Sequence, residues 1–227
     1  MKIFLANITG GNTRLVIELI TSFCGSPNVD SEKIVRIEEE QRSYNIPLHE
    51  FTKHALLGEY AYYNPQSSQV ACNVYDVSAA DPREHFLQGL VVGYLASNTG
   101  RKDDDGFVSG KDIVTEMAAC AFNDDQVRAA LRHLAYRRLI ETPHAHFREV
   151  SVSDREPAEQ FHYRTTSIGV YHLRHWVTSF GFLDATSIDT PIFDAFTRGE
   201  VFKLAGSFDI GDRFRKTDFF RKYLEAQ

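Results

Sequence analysis

Apolar residues recur every three or four positions through the first third of the chain, a spacing that places them on one face of a helix. The clearest run begins after Asn12 and stops at a Gly25-Ser26-Pro27-Asn28 breaker. At the later helix starts, Ser or Asp suits the N-cap and Pro suits the first turn. The predicted helices cover residues 12–23, a span from Asp30 or Ser31 to about 42, and 47–57, followed by an irregular link over 59–80 that holds one short strand near 70–77.

Asp81-Pro82-Arg83-Glu84 starts a second pattern. Asp81 suits a helix N-cap, Pro82 the first helical position, and Glu84 the closing position of a capping box. Ser109 and Asn123 are the predicted caps of two further helices. The predicted order is helix, strand, helix, helix, strand, loop and strand, with strands near 107–108, 139–142 and 161–165. This is the order of a winged helix, in which the long loop between the last two strands belongs to the wing.

The pattern changes again after the predicted wing. The stretch Thr166-Ser167-Ile168-Gly169 precedes a helix, and resembles the L-T-x-x-G-x-x-Y-L segment that closes many winged-helix domains. A last helix is predicted at about 209–226, with the apolar residues Phe214, Phe219, Phe220, Tyr223 and Leu224. So aromatic a face is expected to pack on the body of the protein or on a neighbour.

These patterns predict a mainly α fold with a small β wing. Residues 1–80 are predicted to form a helical lid-like bundle and residues 81–186 a winged helix-turn-helix domain. Residues 187–227 are predicted to be a C-terminal helical extension. A length of 227 residues fits more than one small domain.

Charge and cysteine content narrow the class of protein. The net charge of −6 is spread along the chain, so no segment is a basic domain of the kind that binds nucleic acid. The three cysteines are odd in number and widely separated, which argues against a disulfide framework and favours a reducing cytoplasm. No apolar run reaches the roughly 20 residues of a membrane span. We therefore expect a cytoplasmic protein with no membrane partner.

The sequence contains no self-sufficient active site. His49 and His54 are five positions apart, so on a helix they point roughly 140° apart and cannot share a zinc ion. Other candidate metal ligands lack partners at ligand spacing, namely His172 with His175, His144 with His146, and Asp103-Asp104-Asp105. No phosphate-binding loop of the form G-x-x-x-x-G-K-[ST] occurs. The chain is expected to be non-catalytic and to bind neither a metal nor a cofactor by itself.

Four arginines mark the helix predicted at 123–138, which takes the recognition position of a winged helix. Its inner stripe is predicted to be Val127, Ala130, Leu131 and Leu134, which leaves Arg128 and Arg132 outside and Arg137 and Arg138 at the end. In a DNA reader such arginines contact phosphates or guanine edges. Basic residues late in a helix also complement its dipole, and winged helices also bind proteins. DNA binding is therefore an alternative hypothesis.

The run Gly10-Gly11-Asn12-Thr13-Arg14 precedes the first predicted helix. Asn12 or Thr13 suits the N-cap of that helix. An arginine at this position is able to place its guanidinium beside a phosphate bound by another domain. Asn12 and Arg14 are therefore the predicted nucleotide-sensing residues, acting only together with a P-loop core.

Taken together, the chain resembles the C-terminal part of bacterial STAND-type or AAA+-like P-loop ATPases, in which a helical lid is followed by a winged-helix domain. The segments that carry the resemblance span nearly the whole chain. They are Gly10-Gly11-Asn12-Thr13-Arg14, Ile46-Pro47-Leu48-His49-Glu50-Phe51, Asp81-Pro82-Arg83-Glu84-His85-Phe86, Arg137-Arg138-Leu139-Ile140-Glu141, Asp189-Thr190-Pro191-Ile192 and Phe219-Phe220-Arg221-Lys222-Tyr223-Leu224.

The resemblance implies that Arg14 is a lid arginine that senses nucleotide, and that the winged helix relays a signal. It also implies a parent protein whose ATPase core binds ATP and magnesium, because this chain lacks the phosphate loop and the metal-binding acid. The leading hypothesis is a regulatory region that couples nucleotide state to conformation or partner binding. The expected partner is the ATPase core, with self-association through the aromatic C-terminal helix as a further interaction. Archaeal replication initiators share this domain order, so a module that binds duplex DNA is the second hypothesis.

Overall fold

The computed structural model describes residues 2–26, 31–40, 46–57, 72–97, 101–143, 160–207 and 209–227, with backbone only at 31, 33, 34 and 38. The described chain is mainly helical and contains a small antiparallel sheet of three strands. It divides into two compact units. Residues 1–73 and 178–226 form the first, which we call the two-segment unit, and residues 74–177 form the second, the central unit.

The helices follow in chain order. They are α1 Lys2–Ile8, α2 Thr13–Cys24, α3 Ser31–Glu39, α4 Leu48–Leu57, α5 Leu87–Ala96, α6 Gly110–Ala119, α7 Asp124–Tyr136, α8 Ser167–Tyr171, α9 Phe180–Thr186, α10 Ala195–Lys203 and α11 Ile210–Glu225. A 3-10 turn, Pro82–Phe86, leads into α5, and a π-helical turn, His172–Trp176, continues α8. The strands are β1 Val108–Ser109, β2 Ile140–Glu141 and β3 His162–Thr165.

An aromatic core holds the helices of the two-segment unit together. The Phe51 ring on α4 lies 4.9 Å from that of Phe23 on α2 and 6.2 Å from that of Phe4 on α1. Helix α9 packs closely against α4, because Gly181 has no side chain there. A Cβ atom at Gly181 would lie 3.0 Å from the His49 Cα, tighter than ordinary van der Waals contact.

A buried ion cluster fixes α11 against α9 in the same unit. The Asp184 side chain is only 1% exposed and lies 2.9 Å from the Lys216 Nζ and 2.6 Å from an Arg213 nitrogen. Burial opposes ionisation, but Lys216 and Arg213 hold the pKa of the Asp184 carboxyl below its usual range. The pKa of Lys53 is lowered by burial and by Arg213.

The central unit places its strands in the order β1-β3-β2. Both pairings are antiparallel, with Val108 opposite Tyr163 and Ile140 opposite Thr165. Helices α5, α6 and α7 pack beside this sheet. The predicted inner stripe of α7 is confirmed, because Val127, Ala130, Leu131 and Leu134 are all buried.

Most predicted helices and caps are confirmed, with ends that differ by a few residues. Asn123 and Gln126 form the predicted capping box, and Ser109 accepts a hydrogen bond from the Lys111 N–H. Helices α1, α9 and α10 are additions that the sequence patterns did not predict. Residues 187–226 of the predicted C-terminal extension lie in the same compact unit as residues 1–73. The physical reason is the ion cluster, which joins α11 to α9.

Two local predictions between residues 70 and 86 are wrong. Residues 72–77 contain no strand, and residues 70 and 71 lie outside the described part. The Tyr75 carbonyl accepts a hydrogen bond from His85 Nδ1 at 2.6 Å instead of from a neighbouring strand. Glu84 does not close a capping box on Asp81. Its carboxylate instead accepts hydrogen bonds from the Ser78 hydroxyl and from the N–H groups of Ser78 and Ala79.

Candidate functional site

A tight turn places Arg14 at the exposed start of α2. Gly10 and Gly11 have φ values of 60° and 79°, a left-handed conformation that glycine adopts without steric cost. The Asn12 side chain then caps α2 by accepting a hydrogen bond from the Leu15 N–H at 3.2 Å. The Arg14 side chain is 88% exposed, and its Nε donates to Glu18 Oε1 at 2.9 Å.

This turn has the electrostatics of an anion-binding element. The N-terminus of a helix carries partial positive charge and points N–H groups outward. The ion pair from Arg14 to Glu18 lies at the surface, where such pairs are weak, so a phosphate group is able to compete with Glu18 for the guanidinium. Asn12 acts by fixing the start of the helix from which Arg14 projects.

The four predicted arginines of α7 do not form one basic surface. Arg128 pairs with Asp124 at 3.4 Å and with Asp125 at 3.2 Å, so its charge is compensated locally. Arg132 lies one turn further along α7 and is half-buried. Arg137 is the half-buried C-cap of the helix, and Arg138 follows it, exposed and with a φ of 59°.

Two histidines of the central unit, the half-buried His133 and the buried His172, are held in the neutral form. Burial, with a contribution from the Arg137 charge, lowers the pKa of His133 to about 4. Burial also lowers the pKa of His172 to about 4, against a hydrogen bond from its Nδ1 to the Ile168 carbonyl at 2.9 Å. The His172 ring lies 4.5 Å from the Trp176 ring, edge to face.

The other singled-out histidines and aspartates occupy structural positions. His54 is buried and lies 2.9 Å from the Ser22 hydroxyl, and the His49 ring lies 5.5 Å from the Phe180 ring. The Asp103 carboxylate accepts from the Asp105 and Phe107 N–H groups and so closes its turn. In the described ranges, no three His, Cys, Asp or Glu side chains are grouped for a metal ion. His144 and His146 lie outside those ranges.

A cleft of about 200 Å³ lies in the central unit between the 3-10 turn and α7. Its lining residues are Asp76, Val77, Ser78, Glu84, Leu87, Gln88, Ala129, Ala130 and His133. Burial raises the pKa of the Asp76 carboxyl, and the nearby Glu84 charge raises it further. Sequence reasoning missed this cleft because its polar residues come from three separate segments.

No family model, no curated protein and no solved structure matches the chain. No described helix is both long and apolar enough to cross a bilayer.

Proposed function

We propose that this chain is a regulatory region of a P-loop ATPase of the STAND or AAA+ type. The two-segment unit responds to nucleotide through Arg14, and the central unit is a winged helix that contacts a protein partner. The observation that carries the proposal is the exposed Arg14 guanidinium at the capped start of α2, after the two left-handed glycines.

The element order supports a winged-helix assignment for the central unit. Helix α5 is followed by β1, α6, α7, β2 and β3. In the sheet, β3 lies between β1 and β2 and is antiparallel to both. A winged helix has this strand order, with its last strand between the first two. The loop that would form the tip of the wing, residues 144–159, lies outside the described residues.

The charges on α7 favour a protein partner over DNA. A winged-helix DNA reader presents the N-terminal part of its recognition helix to the bases of the major groove. Here that end carries Asp124 and Asp125, and Arg128 is paired with both. Two carboxylates at this position repel the phosphate backbone. An acidic helix start is better suited to a basic protein surface.

Binding of duplex DNA is the second candidate, favoured by the free arginines at the other end of the helix. Within the described chain, Arg132 and Arg138 take part in no ion pair. Binding of duplex DNA that weakens steeply between about 50 and 200 mM salt would favour this candidate, since phosphate contacts release counterions.

The direct test of the leading proposal is Arg14→Ala in the full-length parent protein. We expect weaker binding of a fluorescent ATP analogue and a smaller conformational response to nucleotide, because one guanidinium contact to phosphate is lost. Arg36→Ala, which removes an exposed arginine from α3, is the matched control and is expected to leave both unchanged. Equal nucleotide binding and switching in both variants and in the unaltered protein would reject the role of Arg14.

A further inference from the structure

We propose that the cleft of the central unit binds an alkylammonium group, which is either a free primary amine or the lysine side chain of a partner. The proposal does not depend on Arg14 or on nucleotide. It rests on the size of the cleft, on its apolar lining residues and on the two acidic residues that line it.

The size and walls of the cleft suit one short alkyl chain. A volume of about 200 Å³ lies below the range of roughly 300–1,000 Å³ that holds drug-sized ligands. Its apolar lining residues are Val77, Leu87, Ala129 and Ala130. Such walls gain free energy by covering methylene groups, which the stem of a lysine or an alkylamine supplies.

The acidic residues that line the cleft, Asp76 and Glu84, carry negative charge that no described cation compensates. Glu84 is only 4% exposed, yet its carboxylate is bound by neutral donors, including the N–H groups of Ser78 and Ala79. Among the described residues, no lysine or arginine forms an ion pair with Asp76 or Glu84. Buried charges in proteins are ordinarily paired, so this pair of carboxylates lacks a positive group.

The remaining polar groups of the cleft do not supply that positive charge. The His133 imidazole is neutral at pH 7, because its pKa is lowered to about 4. The Gln88 amide donates to the Asp76 backbone carbonyl at 3.1 Å, which fixes the segment that carries the Asp76 carboxylate. An ammonium group has three N–H donors and no acceptor, so it suits the Asp76 carboxylate. The Glu84 oxygens already accept from Ser78, Ala79 and Gln126, so Glu84 contributes its negative charge.

The test is a titration of the ¹⁵N-labelled chain with n-butylammonium chloride, followed by NMR. We expect saturable shifts of the amides of Val77, Ser78 and Ala129. Sodium butyrate, with the same alkyl stem and the opposite charge, should not produce them. Acetyl-Gly-Lys-Gly-amide is the second probe. Tighter binding of the peptide would identify a partner lysine as the source, and tighter binding of butylammonium would identify a free amine.

Three variants make the assignment specific. Asp76→Asn should weaken binding about tenfold, the effect of one charge-assisted hydrogen bond. Asp125→Asn removes the same charge from an exposed α7 side chain, and should leave binding unchanged. Ala129→Met fills the cleft without changing its charge and should abolish binding. It tests the site independently if Asp76→Asn does not fold.

Three results would overturn the proposal. They are the absence of saturable shifts with both probes, equal shifts with butyrate, and unchanged affinity in both Asp76→Asn and Ala129→Met. Arg14→Ala should bind butylammonium like the unaltered chain, so failure of the nucleotide proposal and failure of this one give different results.

Discussion

The two units bury carboxylates in opposite ways. In the two-segment unit, Asp184 is neutralised by Lys216 and Arg213, both within 3 Å of its oxygens. In the central unit, Glu84 is held by neutral donors and lies near a second carboxylate, Asp76. A paired buried charge stabilises a fold as long as the pair is intact, whereas an uncompensated one retains attraction for a cation. We therefore interpret the Asp184 cluster as a structural lock and the cleft as a binding site.

The largest expected effect comes from breaking the lock with Asp184→Asn. The change leaves Lys216 and Arg213 buried without their counter-charge, and breaking a buried pair costs about 3–5 kcal/mol. Urea denaturation followed by hydrogen exchange of α9 and α11 amides would measure the loss. Asp218→Asn, which removes an exposed carboxylate from α11 itself, is the control. Equal effects of the two variants would refute the lock.

The next effect is a dependence of stability on pH that is expected for the central unit but not for the Asp184 lock. The pKa of His172 is about 4 in the folded central unit and about 6.5 in an unfolded chain, so the unfolded state binds more protons between these values. The stability of the central unit should therefore fall as the pH drops from about 6.5 to 4, by roughly 3 kcal/mol through His172. The Asp184 lock should persist over this window, because Lys216 and Arg213 lower the pKa of its carboxyl, so its contribution to stability is lost only at a more acidic pH.

Trp176, the single tryptophan, lies against His172 and is therefore a specific probe of central-unit unfolding. Unfolding curves at pH 7, 5.5 and 4.5 should show this fall in the unaltered chain and a smaller one in His172→Gln. A variant that loses as much stability as the unaltered chain would show that His172 is not the titrating group.

The smallest expected effect is a gain in stability, whereas breaking the Asp184 lock causes a loss. Asp76→Asn removes a carboxylate whose ionisation is disfavoured by burial and by Glu84, so the free energy of unfolding at pH 7 should rise, by less than it falls in Asp184→Asn. Below the pKa of Asp76, the aspartic acid of the unaltered chain and the asparagine of the variant are both neutral. The gain in the free energy of unfolding should therefore disappear at pH 3. Trp176 fluorescence is again the measurement. A loss of stability at pH 7 would mean that the carboxylate is compensated and the comparison between the units is wrong.

Local features of the fold could be predicted from the sequence. The caps at Asn12, Ser109 and Asn123 use side chains that reach only two or three residues along the chain, so their signal lies within a few positions. The apolar stripe of α7 could be predicted because one face of the helix is buried and the other is exposed, so its apolar residues recur with the period of a helix.

The elements that were missed lack such a period. Every residue from Gly181 to Thr186 in α9 is buried, so no polar face alternates with an apolar one. Helix α10 has the opposite property, because Val201 is its only buried residue. Neither pattern gives an amphipathic signal.

The two carboxylate sites were missed for a different reason. Asp184 lies 29 residues from Arg213 and 32 from Lys216, and Glu84 lies 42 residues from Gln126, with which it shares a hydrogen bond. Spacing along the chain does not show such pairs, since they form only when the helices pack. The sequence pattern predicts Glu84 as a capping residue, whereas its observed partners are Ser78, Ala79 and Gln126.

The division of the two-segment unit has a consequence for the order of folding. Helix α4 packs on α9, and between them the chain runs through the whole central unit. On the ribosome, the central unit can therefore complete its core while α4 still lacks its partner helix. The loop-closure entropy of the α4–α9 pairing is smaller once the intervening chain is compact, so we expect the central unit to act as a folded spacer that speeds the later step. A nascent chain released before residue 178 would leave the α4 face that meets Gly181, with the buried Thr52, without its partner helix, and would be a substrate for chaperones.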